Sequence, residues 1–411
     1  MPSVLMLSPD AQMIDRRILQ EARTLVAAGY GVDVLSGFEC AAPDAYEEHG
    51  YRVKRYRYDW SDPRRDALRR KVGAASPALW PFVRLATRAS GGPTAFEAYV
   101  MEKALAHRFD VVHVHDFPML RAGALVARAR GVPLIYDSHE FYPVQSVFSP
   151  ADQTRYLALE RRLTRDCAAI ITVNPYLARM IGEAHAIPAP EVILNACEPP
   201  TLTVGALTLD ERARRRAALG LPVDRTLFLY QGWLSPERNL ETMVAAMAGQ
   251  SEAALAIVGY GAYEETLKTL ARDKGVADRV VFLGRIENEV LSEVTALADV
   301  GIVPYKAVDE MHRYCSPNKL FEFIAAGVPV LASDLPYLRD VVAGHDIGWL
   351  GALDDEAAFS RLIADIAADP AARAAKQSHV AAAYATLNWG EEGRKLLAIY
   401  ERVLRTAGGR R

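Results

Sequence analysis

Cysteine is scarce. The chain has four in 411 residues (Cys40, Cys167, Cys197, Cys315), scattered, with no C-x-x-C pair and no metal-ligand spacing. That disfavours a disulfide scaffold or a zinc module and makes a reduced, cytoplasmic chain the simpler expectation. No stretch reaches the ~18 consecutive apolar residues that a membrane-spanning helix needs. The N-terminus passes directly into V-L-M-L-S, read as a strand, with no basic leader and no signal-peptide anatomy. Charge of one sign is also missing: 48 Lys and Arg against 51 Asp and Glu leave −3, which argues against a general nucleic-acid binder. No G-x-G-x-x-G follows the first strand, so a NAD-dependent dehydrogenase is poorly supported. There is no internal repeat and no low-complexity tract.

Short apolar runs alternating with helical patterns are abundant. Val4 to Leu7, Val32 to Leu35, Val111 to Val114, Leu134 to Tyr136 and Ala169 to Val173 read as strands. So do Leu227 to Tyr230, Ala254 to Val258, Val280 to Leu283, Val300 to Val303 and Val328 to Ala332. Apolar runs of this length separated by helices imply parallel sheets buried on both faces. The two series are separated by a Pro-containing, then charged, stretch over 197–224. The expected architecture is α/β: two doubly wound domains facing each other across a cleft, with ligands at the carboxyl ends of the strands. The first would run over 1–200 and be closed by a C-terminal helix, 388–411; the second would run over 201–387. Trp389 and Tyr400 on that amphipathic last helix read as packing residues.

The densest signal lies between Arg313 and Pro336, R-Y-C-S-P-N-K-L-F-E-F-I-A-A-G-V-P-V-L-A-S-D-L-P. Ser316 at an N-cap and Pro317 at the first helical position predict a helix start. Free N–H groups and a partial positive charge at that end suit a phosphate. Lys319 adds a full charge in the first turn, and Glu322 lies where a carboxylate can take the paired hydroxyls of a ribose. A second Ser-Pro start, Ser235-Pro236, follows the strand ending at Gly232 and predicts a helix with Arg238 in its first turn. A pyrophosphate between the two would meet two helix N-termini and two cations; a plain surface arginine is the other reading of Arg238. In V-G-Y-G-A-Y, Gly259 allows close approach of backbone to a ligand, and an ordinary strand–helix turn explains the same residues.

The segment resembles the donor-site signature of retaining GT-B glycosyltransferases of the family-4 type. There two glutamates stand eight residues apart before a helix ending A-x-G-x-P-V. Glu322 and Ala325 to Val330 match; the first glutamate falls on Tyr314. The family's Gly-Arg-Leu, with a Lys five residues after the Arg, becomes Gly232, Trp233 and Arg238, so a tryptophan stands for one phosphate-binding cation. Lys319 is expected to supply part of that charge. The resemblance implies a donor site built from Gly232, Trp233, Arg238, Gly259, Arg285, Ile286, Tyr314, Ser316, Pro317, Asn318, Lys319, Leu320 and Glu322. Arg285 and Ile286 would lie on the side of the base.

D-V-V-H-V-H-D-F-P (110–118) and L-I-Y-D-S-H-E-F-Y-P (134–143) each end a strand with histidine beside a carboxylate, which fits a ligand-binding strand end. The resemblance gives His139 the transferred sugar and makes Arg16, Arg17, His115, Asp116 and Glu140 acceptor-side candidates. His113 and His115 are taken to point to opposite faces of their strand, so no metal site is expected. Residues 52–71 carry nine Lys and Arg, with Trp60, Trp80 and Phe82 nearby. That suits an anionic membrane surface or a lipid diphosphate, and equally a solvated arginine-rich helix and loop. The implied activity is transfer of a sugar, with retention, from a UDP- or GDP-sugar to a hydroxyl of a glycan or lipid-linked acceptor, in polysaccharide, lipopolysaccharide or other glycoconjugate synthesis. No cofactor or nucleic acid is called for. The setting would be cytoplasmic, with peripheral contact at the inner face of the membrane through 52–84. His139, Arg238, Lys319 and Glu322 would carry catalysis. The alternatives are a non-catalytic nucleotide-sugar or glycan binder, or an epimerase or phosphorylase of the same fold.

Overall fold

The computed structural model describes residues 1–10, 14–36, 39–58 and 92–408. They form two compact units: Met1–Ile193 with Gly393–Arg411, and Leu194–Glu392. The chain breaks lie close to the stretch where the sequence loses its strand–helix alternation and within the last helix, Trp389–Gly408.

The first unit is built on eight strands: β1 (Ser3–Leu7), β2 (Gly31–Ser36), β3 (Glu39–Glu48), β4 (Tyr51–Arg57), β5 (Val111–His115), β6 (Leu134–Ser138), β7 (Ala169–Thr172) and β8 (Glu191–Val192). Their order is β3-β4-β2-β1-β5-β6-β7-β8, parallel except for the β3–β4 pair. The central strands are buried along nearly their whole length because helices cover both faces, which is why they read as continuous apolar runs. The helix Phe117–Arg130 links β5 to β6 and stops at Gly131, whose φ of +66° is a left-handed cap that glycine takes without strain.

The second unit holds β9 (Thr226–Gln231), β10 (Ala253–Val258), β11 (Val280–Gly284), β12 (Val300–Val303), β13 (Val330–Ser333) and β14 (Gly348–Gly351), all parallel, in the order β11-β10-β9-β12-β13-β14. Chain order reverses at β9, whose neighbours are β10 and β12. Its carboxyl end is therefore a topological switch point, the usual ligand position of an open α/β sheet.

Four sequence expectations need correction. Strand β13 begins at Val330, not Val328, because the Val328 N–H donates back to Phe323 O (2.9 Å) and closes the preceding helix around Gly327. That helix, Asn318–Ala326, has Pro317 as its cap residue, and Ser316 precedes the cap. Ser235-Pro236 starts only a three-residue 3-10 turn, Pro236–Arg238, ended by Asn239 at φ +60°. The Ser235 hydroxyl there donates to Glu237 (2.6 Å) instead of capping, so a full helix N-terminus is present at one of the two expected places. Finally, the start of the arginine-rich stretch is strand. Arg52, Lys54, Arg55 and Arg57 lie on β4, with Arg52 on Asp33 (2.7 Å) and Arg55 near Asp44 (3.6 Å). The remainder of that stretch, with Trp60, Trp80 and Phe82, lies outside the described residues.

Candidate active site

In the second unit the ends of β9 and β12 meet the start of the helix Asn318–Ala326. Tyr230, fully buried near the end of β9, donates its hydroxyl to the Trp233 carbonyl (2.8 Å) and fixes the loop that follows. Lys319 is 6% exposed; its Nζ lies 4.0 Å from the centre of the Tyr230 ring and 5.1 Å from that of Tyr305. The Arg238 guanidinium lies 4.7 Å from the same Tyr305 ring. Among the described residues neither cation has a carboxylate within ion-pair distance. Burial, then the neighbouring Arg238 charge, hold the Lys319 amine well below the usual lysine range, against an opposing pull from Glu322. Burial likewise pushes the Cys315 thiol beside them up to about 12.

One helical turn on, Glu322 accepts from the Gln231 amide, and the Gln231 carbonyl accepts from the Thr295 hydroxyl (2.9 Å). Gln231 and Thr295 are buried, so this chain orients a partly exposed carboxylate. Gly232 stands between the parts. A β-carbon there would approach Lys319 Cε and Nζ to 3.3 Å, at a φ of +131°. The glycine turn after β10 serves packing: a β-carbon on Gly259 would lie 2.0 Å from the Gly232 carbonyl oxygen.

Trp233, where the family carries arginine, is half exposed and meets the Tyr260 ring edge-on at 5.0 Å. Arg285 covers that ring at 5.2 Å and pairs with Glu287 (3.3 Å), just before Ile286. Tyr314 ends the single turn Glu310–Arg313, with the Arg313 guanidinium 5.7 Å from its ring. The Ser316 carbonyl accepts from Asn195 (2.9 Å). Asn318 opens the helix, whereas Leu320 is fully buried core. Sequence reasoning missed Tyr230, Tyr305, Gln231 and Thr295. The available signal was a tyrosine at or just past the end of each of two strands, Y-Q-G-W and V-P-Y-K.

In the first unit, the carboxyl ends of β5 and β6 carry a buried ionic network. Arg16 and Arg17 open the helix Arg16–Ala27, capped by Asp15. Arg17, 3% exposed, donates to both oxygens of Asp137 (2.8 and 3.2 Å) and to Ile193 O (2.8 Å), and lies 3.2 Å from Glu21. Asp137 lies 3.3 Å from His139 Nε2, while Asp116 accepts from the His139 backbone N–H (3.0 Å) and stands 3.5 Å from its Nδ1. Burial opposes charge on this ring, but the Asp116 and Asp137 carboxylates outweigh it and raise His139 to about 10. Burial lifts Asp116 to about 7, against the pull of His139. Asp116 holds a left-handed φ of +61° before the helix Phe117–Arg130 and makes no side-chain cap. A non-glycine residue so strained is a feature of functional sites. The Asp116 side chain is 26% exposed and that of His139 13%; Glu140 is exposed and takes the Gln145 amide.

The expected divergence of His113 and His115 is wrong. Residues two apart on a strand share a face, and the two rings stack with centroids 4.4 Å apart, both fully buried. His113 Nδ1 meets the Tyr400 hydroxyl (2.8 Å) and His115 Nδ1 meets His139 Nε2 (3.4 Å). Burial lowers His113 to about 4 and His115 well below its ordinary value. With Glu21 and Asp137 they form a group whose ligand atoms lie within 4.8 Å of one another, a spacing that could hold a metal ion. A divalent ion entering it would, however, meet the Arg17 guanidinium already seated on both carboxylates.

Comparison with known proteins agrees with this division. Residues 14–197 match the model of the glycosyl transferase 4-like domain, and residues 211–385 that of glycosyl transferases group 1. The chain is 29% identical over 332 residues to a D-inositol 3-phosphate glycosyltransferase of Xylanimonas cellulosilytica, covering 74% of this chain and 76% of that protein. In fold it is similar to a sucrose-phosphate synthase of Thermosynechococcus elongatus (TM-score 0.71, 22% identity, 99% and 100% of the two chains covered). It is also similar to Anabaena HepE in complex with UDP and glucose (TM-score 0.71, 16% identity, 98% and 99% covered). The chain therefore belongs to the group 1, family-4-type glycosyltransferases and is a glycosyltransferase of the GT-B fold.

Proposed function

We propose that this enzyme transfers a sugar from a nucleotide diphosphate sugar to an acceptor hydroxyl, with retention at the anomeric carbon. The observation that carries the reading is the pair Arg238 and Lys319, two basic side chains with no carboxylate within ion-pair distance among the described residues, beside a fixed carboxylate, Glu322, at the switch point of the second sheet. A diphosphate supplies the missing negative charge, and the ribose hydroxyls donate to Glu322. As the bond to the sugar breaks, charge grows on the leaving diphosphate, where Arg238, Lys319 and the N–H groups opening the helix Asn318–Ala326 stabilise it. The departing phosphate takes the acceptor proton on the same face, so no protein base is needed and positioning carries much of the rate.

In the first unit, Asp116 and His139 offer one sugar hydroxyl an acceptor and a donor 3.5 Å apart. Arg17, buried on Asp137, acts by holding that pair and not by touching substrate. The Xylanimonas relative's name, D-inositol 3-phosphate glycosyltransferase, supports a polyol or glycan hydroxyl as the acceptor class, and the UDP complex of HepE makes uridine the first base to test. A role in polysaccharide, lipopolysaccharide or other glycoconjugate synthesis, at the inner face of the membrane, follows from the same reading. No helix among the described residues is long and apolar enough to cross a membrane, so contact there would be peripheral.

Thermal-shift titration with UDP, GDP, ADP and their sugars tests the donor site, with Glu322→Ala alongside. A melting temperature raised by one base family and unmoved in the variant is the expected result. No shift with any nucleotide would remove the donor-site assignment.

A further inference from the structure

Lys319 stands in surroundings that disfavour an ammonium. Tyr230 and Gly232 face it from the end of β9, Arg238 from the 3-10 turn and Tyr305 from the loop after β12. Cys315 and Glu322 face it from its own helix and the residues before it. The only carboxylate of that set, Glu322, is already bonded to Gln231. The nearest full charge of like sign, Arg238, shares the Tyr305 ring with it. The aromatic faces attract a cation, but cation–π contact is weak beside the hydration an ammonium gives up. Taking an ammonium out of water without a counter-ion is strongly unfavourable. Arginine stays charged under such conditions, whereas lysine can shed its proton. Of two adjacent buried cations, the lysine is the one that yields.

We propose that Lys319 stands as a neutral amine in the empty donor site and takes up a proton from solvent when a nucleotide diphosphate sugar binds, so that the site loads its substrate together with one proton. The inference rests on the donor-site reading above. The balance is simple: the Nζ lone pair of Lys319 gains the proton, the diphosphate diester brings two negative charges, and Arg238 with the new ammonium neutralises both. Tyr305 and Tyr230 act as positioning residues that keep the two nitrogens apart without supplying charge. The arrangement avoids holding two unneutralised charges in the empty site and makes tight binding conditional on a dianion.

The test is calorimetric titration of the full chain with UDP-glucose and with GDP-mannose, without acceptor, at pH 8 in buffers of differing ionisation enthalpy. These diphosphate diesters carry no phosphate proton that titrates near neutrality, so any proton exchanged belongs to the protein. The expected result is uptake approaching about one proton per ligand, with affinity weakening up to about tenfold per unit as pH rises. Lys319→Arg, always charged, should still bind but lose the uptake. Binding with heats independent of buffer, or uptake persisting in Lys319→Arg, would overturn the proposal while leaving the donor site standing. Failure of both ligands to bind would overturn the donor-site reading and this proposal with it.

Discussion

Both units gather charge at the carboxyl ends of a parallel sheet, and they balance it in opposite ways. In the first, Arg17, Asp137, His139 and Asp116 alternate in sign and are ion-paired with one another. In the second, Arg238 and Lys319 share one aromatic ring and have no partner of opposite sign among the described residues. A network complete in itself orders the fold and holds side chains in place. An incomplete one is held together by its surroundings, and on the proposed reading a ligand brings the missing charge. The same chemical groups thus have different roles, decided by whether the counter-charge is built into the protein.

Breaking each arrangement should move stability in opposite directions. Arg17→Met leaves Asp137 and Glu21 buried without their cation and should cost about 3–5 kcal/mol, read by denaturant unfolding of the first unit. An unchanged midpoint would mean that the network is not ordering the unit. Lys319→Met removes a buried amine that must give up its proton on folding and that has no carboxylate within ion-pair distance among the described residues. It should raise the melting temperature of the ligand-free protein, by the equivalent of about 1–4 kcal/mol, while weakening donor binding and turnover. The sign follows from the lowered amine: the unfolded chain binds the proton more tightly, so wild-type stability falls as pH drops through the folded value, and the variant should lack that fall. Arg238→Ala should reduce turnover about a hundredfold through lost stabilisation of the leaving group, with little effect on folding.

Smaller effects sharpen the contrast. His139 is raised from 6.5 to about 10, so its stabilising share is complete below about 6.5 and disappears as pH rises through about 10; His139→Gln should flatten stability over that window. Trp233→Arg restores the charge common in the family and should tighten donor binding a few-fold. If it instead weakens binding, the indole is itself a ligand contact.

Much of this was legible from residue order alone. The apolar runs of β1, β5, β9, β10 and β12 are buried on both faces, which gives a pattern with few alternative readings. The edge hairpin β3–β4 was not legible, because Arg52 and Lys54 alternate with Tyr51 and Val53 and the basic residues dominated the reading. In the proposed donor site, Lys319 and Glu322 could be placed from one helix. The partners that set their chemistry come from β9, the turn after it, β12 and the helix Asn288–Thr295, and no local spacing relates these. The histidine pair failed for a simpler reason: period-2 alternation puts His113 and His115 together, and the stacked rings make that plain.

The sequence by itself determined that this is a two-unit parallel α/β chain with a helix start beside Lys319, because burial pattern and helix signals are local and periodic. Only the tertiary structure decided which charges are paired. Ionic balance depends on which strand ends meet: Arg17 reaches Asp137 across 120 residues, and Lys319 reaches Tyr230 and Tyr305 with no carboxylate within ion-pair distance among the described residues.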